Sequence, residues 1–302
     1  MPLSAVAPPV RVPIRSGFDY VAVDPQRHRV YAAHTASEAL TIVDSQSGKV
    51  LGQVEVGPLH GVAVDEATGH VFTGQSDQSV AEIDPVTMKV LRTADDLGGP
   101  VDAIAYDPSN GHIYADEDDG TCIFVIDAKT LKSIGTVTLP GHKPEYLSIN
   151  PVTHQVYQNI ANLNEFVIVD PTTLKVTKTV ATPDIKNNHP LQYDPSFGHV
   201  LIGGANGIFA AYETNGTLVG KTPIQARVDQ CNLDRSAHVI ACAGSGMITV
   251  LRDNAHAAPS IVAQMRIASE AHTLAIDAAT KTVWTVWAQH DGDFVQGFKI
   301  SP

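Results

Sequence analysis

Residues 58–96 read PLHGVAVDEATGHVFTGQSDQSVAEIDPVTMKVLRTADD, and their punctuation decides the fold. His60 to Val64 alternates in polarity as a short strand does. Asp65 to Gly69 is a turn of Asp, Thr and Gly. His70 to Gly74 is a second strand, and Gln75 to Gln78 a polar loop. Ser79 to Ile83 is a third strand. Asp84-Pro85-Val86-Thr87 is a turn whose proline supplies a fixed φ, and Lys89 to Thr93 is a fourth strand. Four short antiparallel strands in about 42 residues make one blade of a β-propeller.

The same phrases return along the chain. The first turn recurs as DPQRHRVY (24–31), DEATGHVF (65–72), DPSNGHIY (107–114), NPVTHQVY (150–157), DPSFGHVL (194–201), DRSAHVI (234–240) and DAATKTVW (277–284). The third strand and its turn recur as TIVDSQSGKV (41–50), AEIDPVTMKV (81–90), FVIDAKTLKS (124–133) and VIVDPTTLKV (167–176). Blades 5 and 6 depart, with AAYETNGTLV and a longer TVLRDNAHAAPSIV. These phrases resemble the YVTN-type β-propeller repeat family over nearly all of residues 16–302. The resemblance implies the fold and says little of function, since such propellers include binding and surface proteins, and related ones include lyases and lactonizing enzymes. The column where that repeat carries Asn holds His34, Gln75, Glu117, Ile160, Gly204, Ala243 and Trp287 here, so it has diverged.

The expected fold is therefore all-β: a single seven-bladed propeller over residues 1–302. Its blades lie near 16–57, 58–99, 100–141, 142–184, 185–225, 226–268 and 269–302. Blade 7 ends after its third strand, around 294–300. Its missing outer strand is expected from residues 8–15, where Val10 to Ile14 alternates and Pro13 suits a sheet edge.

One column stands out. Five places before each strand-ending Asp or Asn stand Asp19, His60, Asp102, Glu145, His189, Asp229 and His272, spaced by 41, 42, 43, 44, 40 and 43 residues. One equivalent position per blade becomes one ring around the central channel. A strand merely starting near solvent would mix in Ser, Asn, Gly and Lys, and none occurs. Four carboxylates brought together repel unless protonated or neutralised by a cation. Imidazole with carboxylate suits a divalent transition metal such as Zn, Mn or Fe, whereas Mg²⁺ or Ca²⁺ prefers oxygen alone. The expected ligands are His60, His189 and His272, with one or two of Asp19, Glu145, Asp102 and Asp229.

The other histidines divide. His28, His70, His112, His154, His199 and His238 sit in first hairpins, on the face opposite the ring, and read as scaffold. His34 and His290 close second strands in blades 1 and 7, which should border the ring's mouth. His34, Glu270 and Glu117 are the candidate acid–base groups. Gln75, Ile160, Trp287 and His290 are the candidate pocket.

Composition narrows the rest. A net charge of −12, with no basic run, argues against nucleic acid. No apolar run approaches the roughly 18 residues of a membrane helix. There is no GxSxG, P-loop, dinucleotide fingerprint, HExxH or CxxCH. Cys231 and Cys242 fall on neighbouring strands, so one bridge is open to them; compartment and oligomeric state stay open. The functional expectation is a metal-dependent lyase, isomerase or hydrolase acting on a small organic molecule. The alternative is a non-catalytic binding or scaffold propeller with a structural ion.

Overall fold

The structure, a computed structural model, describes residues 2–13 and 17–301. Its strands form seven antiparallel sheets, six of four strands and one of five. The first strand of each blade lies innermost: Val21–Asp24, Leu59–Val64, Val101–Asp107, Pro144–Ile149, Asn188–Asp194, Val228–Asp234 and Thr273–Asp277. Each innermost strand touches the next, and the seventh touches the first, so the sheets close into a seven-bladed propeller.

Burial follows position in the blade. Second and third strands, such as Val71–Gln75 and Ser79–Asp84, are buried almost throughout, because both their faces pack against neighbouring blades. Fourth strands, such as Lys89–Ala94, are largely exposed. The apolar core is accordingly spread between blades: one cluster joins Val21, Val30 and Val43 of blade 1 to Ala275, Trp284 and Val286 of blade 7.

The N-terminal segment closes the ring. Val10–Val12 pairs antiparallel with Asp293 to Val295, as its alternation predicted. A second short strand, Leu3–Ala5, pairs with Phe298 to Ile300 and had no expectation behind it. Together they cover the outer edge of Gly292–Ile300, which otherwise would expose unpaired backbone groups. Ile14 and Arg15, the end of the expected strand, lie outside the described residues.

The first hairpins explain their own punctuation. The strand-ending carboxylate bends back to accept the backbone N–H two residues on, as Asp24 Oδ1 does from Gln26 (3.0 Å) and Asp194 Oδ1 from Ser196 (2.9 Å). Four residues on, the chain must adopt a left-handed conformation. That position is His28, Gly69, Gly111, His154, Gly198, His238 and Lys281, with φ between 53° and 83°. The hairpin histidines thus fall in two registers. From the left-handed position, His154 Nδ1 reaches Asp107 of the preceding blade (2.9 Å) and His238 Nδ1 reaches Asp194 (2.8 Å). Lys281 Nζ does the same to Asp234 (2.6 Å). One residue later, His70 and His199 pair with Glu82 (2.7 Å) and Asp253 (2.9 Å). Cys231 and Cys242 stand directly opposite one another in blade 6, buried and joined by a disulfide, while Cys122 is free.

Candidate functional site

A regular strand would not aim the ring residues at the channel. In blades 2 to 6 the pairing of the first two strands slips at the ring position, between Leu59/Val62, Val101/Ile104, Glu145/Leu147, Asn188/Leu191 and Val228/Gln230. In blade 1, Asp19 and Tyr20 both bond to the backbone of Ala33. A bulge sets two residues against one and re-aims a side chain. Here it turns the ring side chains of blades 1 to 6 inward, while in blade 7 His272 stands just before a regularly paired strand, Thr273–Asp277.

Around the ring the order is Asp19, His60, Asp102, Glu145, His189, Asp229, His272. Each imidazole stands between two carboxylates. His60 Nδ1 lies 2.6 Å from Asp19 Oδ2 and 3.9 Å from Asp102 Oδ1. His189 Nε2 lies 3.0 Å from Glu145 Oε2 and 3.1 Å from Asp229 Oδ1. His272 Nδ1 bonds Asp229 Oδ2. Four acids and three histidines cannot alternate perfectly in a ring of seven, so one acid–acid contact is forced, and it is Asp102 beside Glu145.

The electrostatics follow from that order. Burial, then repulsion from Asp19, Asp116 and Glu145, pushes the Asp102 carboxyl well above the usual range. Burial pushes Glu145 up to about 7 against the pull of His189. Its hydrogen bond to Asp19 raises His60, and its bond to Asp229 raises His272. Burial would lower His189, but Asp229 and Glu145 outweigh it and the shift is upward. Burial would raise Asp229, but His272 and His189 hold it low.

The ring is not a single convergent ligand set. Asp19, His60 and Asp102 each offer a donor atom within 4.8 Å of one another, and among the described residues they are the group of three so placed. His189 and His272 belong instead with Glu145 and Asp229. The expected set of three imidazoles on one ion therefore gives way to one imidazole and two carboxylates. That set fits a first-row divalent ion: two anionic oxygens, one nitrogen, and positions left over.

Residues expected at the second-strand ends mostly lie elsewhere, for one reason. Side chains of an inner-blade strand point perpendicular to the sheet, hence between blades and not into the channel. His34 is fully buried, stacked on Phe18 with ring centres 4.2 Å apart, and its Nε2 meets buried Asp293 at 2.6 Å. Burial lowers its pKa despite that partner. It ties blade 1 to blade 7 and does not border the ring as a base. Glu117 caps its own loop by accepting the Thr121 N–H at 2.8 Å. Ile160 is buried in the apolar core of blades 3 and 4, Trp287 is buried against Phe294, and Gln75 is buried beside Gly57. His290 is exposed beyond strand Thr282–Gln289. Glu270 does reach the site: with His189, Asp229, His272, Asn187 and Arg227 it lines a cavity of about 460 Å³ at the ring's mouth.

Several site residues escaped the sequence reading. Ser76 Oγ lies 2.6 Å from His60 Nε2. Asp116, fully buried, accepts the Ala103 N–H (2.6 Å) and the Gln158 amide (2.9 Å) behind the ring. Tyr20 donates to Asp102 Oδ2 at 3.2 Å, and its ring meets that of Tyr146 at 5.6 Å. The position after each ring residue reads Tyr20, Gly61, Ala103, Tyr146, Pro190, Gln230 and Thr273. Two tyrosines in a column of mostly small residues were the available signal that something large fills the axis there. Gly61 makes room beside it: a Cβ would come within 2.4 Å of the Asp102 carbonyl oxygen.

Among known proteins, no family model matches this chain and no curated sequence matches it. Its fold is similar to a solved structure of hydrazine synthase from Kuenenia stuttgartiensis, with a TM-score of 0.81 over 95% of this chain and 96% of that one. Sequence identity is 13%, so the likeness is one of fold. No helix of the described residues is long and apolar enough to cross a membrane. The chain is a seven-bladed β-propeller, closed by its own N-terminal segment and lined at one end of its channel by alternating acids and histidines.

Proposed function

We propose that this propeller is a metal-dependent enzyme, of lyase, isomerase or hydrolase type, acting on a small organic molecule at the ring face. Its ion would be Zn, Mn or Fe, held by Asp19, His60 and Asp102. The observation that carries the reading is the mutual approach of those three donors. His60 stands where a metal ligand is held in orientation: Nε2–H can donate to Ser76 Oγ, leaving Nδ1 toward Asp19 and Asp102. A bound ion there supplies Lewis acidity toward a substrate carbonyl or water. The other half of the ring supplies proton transfer. Glu145, with a pKa of about 7, is matched to acid–base work near neutrality, and His189 links it to Asp229. Glu270 stands at the adjoining cavity, where substrate would enter. The repeat phrases also support kinship with YVTN-type propellers, a closer relation than the shared fold.

Calorimetric titration of chelator-treated protein with Mn²⁺ and Zn²⁺ tests this. Binding tighter than about 100 μM, roughly −5.5 kcal/mol, is expected, and His60→Ala should abolish it. Absence of such binding in the wild type would sink the reading. A second reading has its own observation: all three ring imidazoles already stand at ion-pair distance from carboxylates. A ring whose imidazoles are paired in that way serves a non-catalytic binding propeller, and that reading would then lead.

A further inference from the structure

The bulge that aims Glu145 at the ring aims Tyr146 the other way. Tyr146 holds φ of +54° within its strand, an unusual conformation for a bulky residue, and its hydroxyl bonds to Gln192 and Asn232. With Tyr20 it forms a floor across the channel. Beyond that floor, on the hairpin face, the channel widens into a cavity of about 870 Å³. That is within the roughly 300–1,000 Å³ range of small-molecule sites. Its walls are apolar side chains of the inner strands, among them Val21, Ile104, Leu233 and Ile276.

At the rim sits one cation with no carboxylate at ion-pair distance among the described residues; Asp194 and Glu66 act on it only from farther away. Arg235 follows the strand-ending Asp of blade 6, where other blades carry Pro, Glu or Ala. It reaches past blade 5 to the Ile149 carbonyl of blade 4, at the long distance of 3.5 Å. Among the described residues no carboxylate pairs with it, whereas Arg27 and Lys281 on the same face are paired with Asp24 and Asp234. In a chain with 32 acidic and 20 basic residues that is notable. The rim acids are occupied. Asp65 accepts from Ala67 N and Thr68 Oγ1, Asp107 from Ser109 N and His154, Asp234 from Ser236 N and Lys281, and Glu66 from Gln26.

We infer that this cavity is a second ligand site, for a small carboxylate with an apolar body: the carboxylate on Arg235, the body against the inner-strand wall. A guanidinium selects a carboxylate by two parallel hydrogen bonds, which an amide or a lysine cannot reproduce. The inference is independent of the ring face and of any metal.

The experiment is calorimetry on chelator-treated full-length protein with hexanoate, 4-phenylbutyrate and uncharged hexanamide. Dissociation constants below about 1 mM are expected for the two carboxylates, with at least tenfold weaker binding of hexanamide. Arg235→Gln, at an exposed position, should weaken the carboxylates at least tenfold, and Arg235→Lys should only partly restore them. Ala105→Phe, filling the wall, should remove binding, and His60→Ala on the other face should leave it unchanged. Carboxylates that bind no tighter than hexanamide, or equally well to Arg235→Gln, overturn the inference. So does binding lost in the ring-face variant, because it would place the ligand there.

Discussion

Two sets of histidine–carboxylate pairs stand at opposite ends of this propeller, and their difference is in the acid. At the hairpin end, His154 and His238 meet Asp107 and Asp194 at 2.9 and 2.8 Å. Those aspartates are buried to 2% and 0% exposure, and their other oxygen is used up by the backbone of their own turn. At the channel end, His60 and His189 meet Asp19 and Glu145 at 2.6 and 3.0 Å, but those acids retain 25% and 18% exposure and, among the described residues, accept no bond from a turn. Saturated pairs hold blades together. Unsaturated pairs have acceptor capacity and titration behaviour left over, and that is what a reactive or ion-binding site requires.

The largest expected effect falls on the saturated set. Asp194→Ala leaves His238 and the Ser196 N–H without their acceptor, and should cost about 3 kcal/mol in urea unfolding. Divalent-metal affinity should not change. An outcome with stability kept and metal lost would erase the distinction. Nearly as large, and opposite in kind, is the double change Asp19→Asn and Asp102→Asn. Metal affinity should fall at least 100-fold, about 2.7 kcal/mol by calorimetry. Stability should change little, because asparagine keeps an oxygen to accept from Tyr20 and burial already disfavours the charged form of Asp102.

The pH dependence sharpens the contrast next. Folded Glu145 keeps its proton up to about pH 7, well above an unfolded glutamate near 4.3. Between those values the folded chain binds more protons than the unfolded one. Its contribution is therefore fully present below the unfolded value and is lost as pH rises through about 7. His189 and His272, also raised, act in the same direction through their own range. Metal-free protein should lose on the order of 2 kcal/mol between pH 5 and 8, read as a falling melting temperature. Glu145→Gln should flatten that slope; an unaltered slope would take Glu145 out of the account. The smallest effect belongs to the half-exposed partner in a hairpin: His154→Gln should cost about 1 kcal/mol of stability and leave metal affinity within twofold.

The repeat was legible because each blade must spend the same residues on the same turns. Asp caps the turn, a residue tolerant of positive φ follows four places on, and alternation sets each strand; these are local demands, so they are printed in the sequence. The ring column was legible for the same reason, one position per blade. What the sequence could not decide was direction. His34, Gln75, Ile160 and Trp287 end strands near the mouth, yet sheet geometry turns them between blades. Asp19, His60 and Glu145 reach the channel because a bulge breaks that geometry. A bulge is a mismatch between two strands, so it belongs to their pairing and not to either segment. The partition of the ring into Asp19–His60–Asp102 and Glu145–His189–Asp229–His272, and the closing of its floor by Tyr20 and Tyr146, arise only once seven separate segments share one axis.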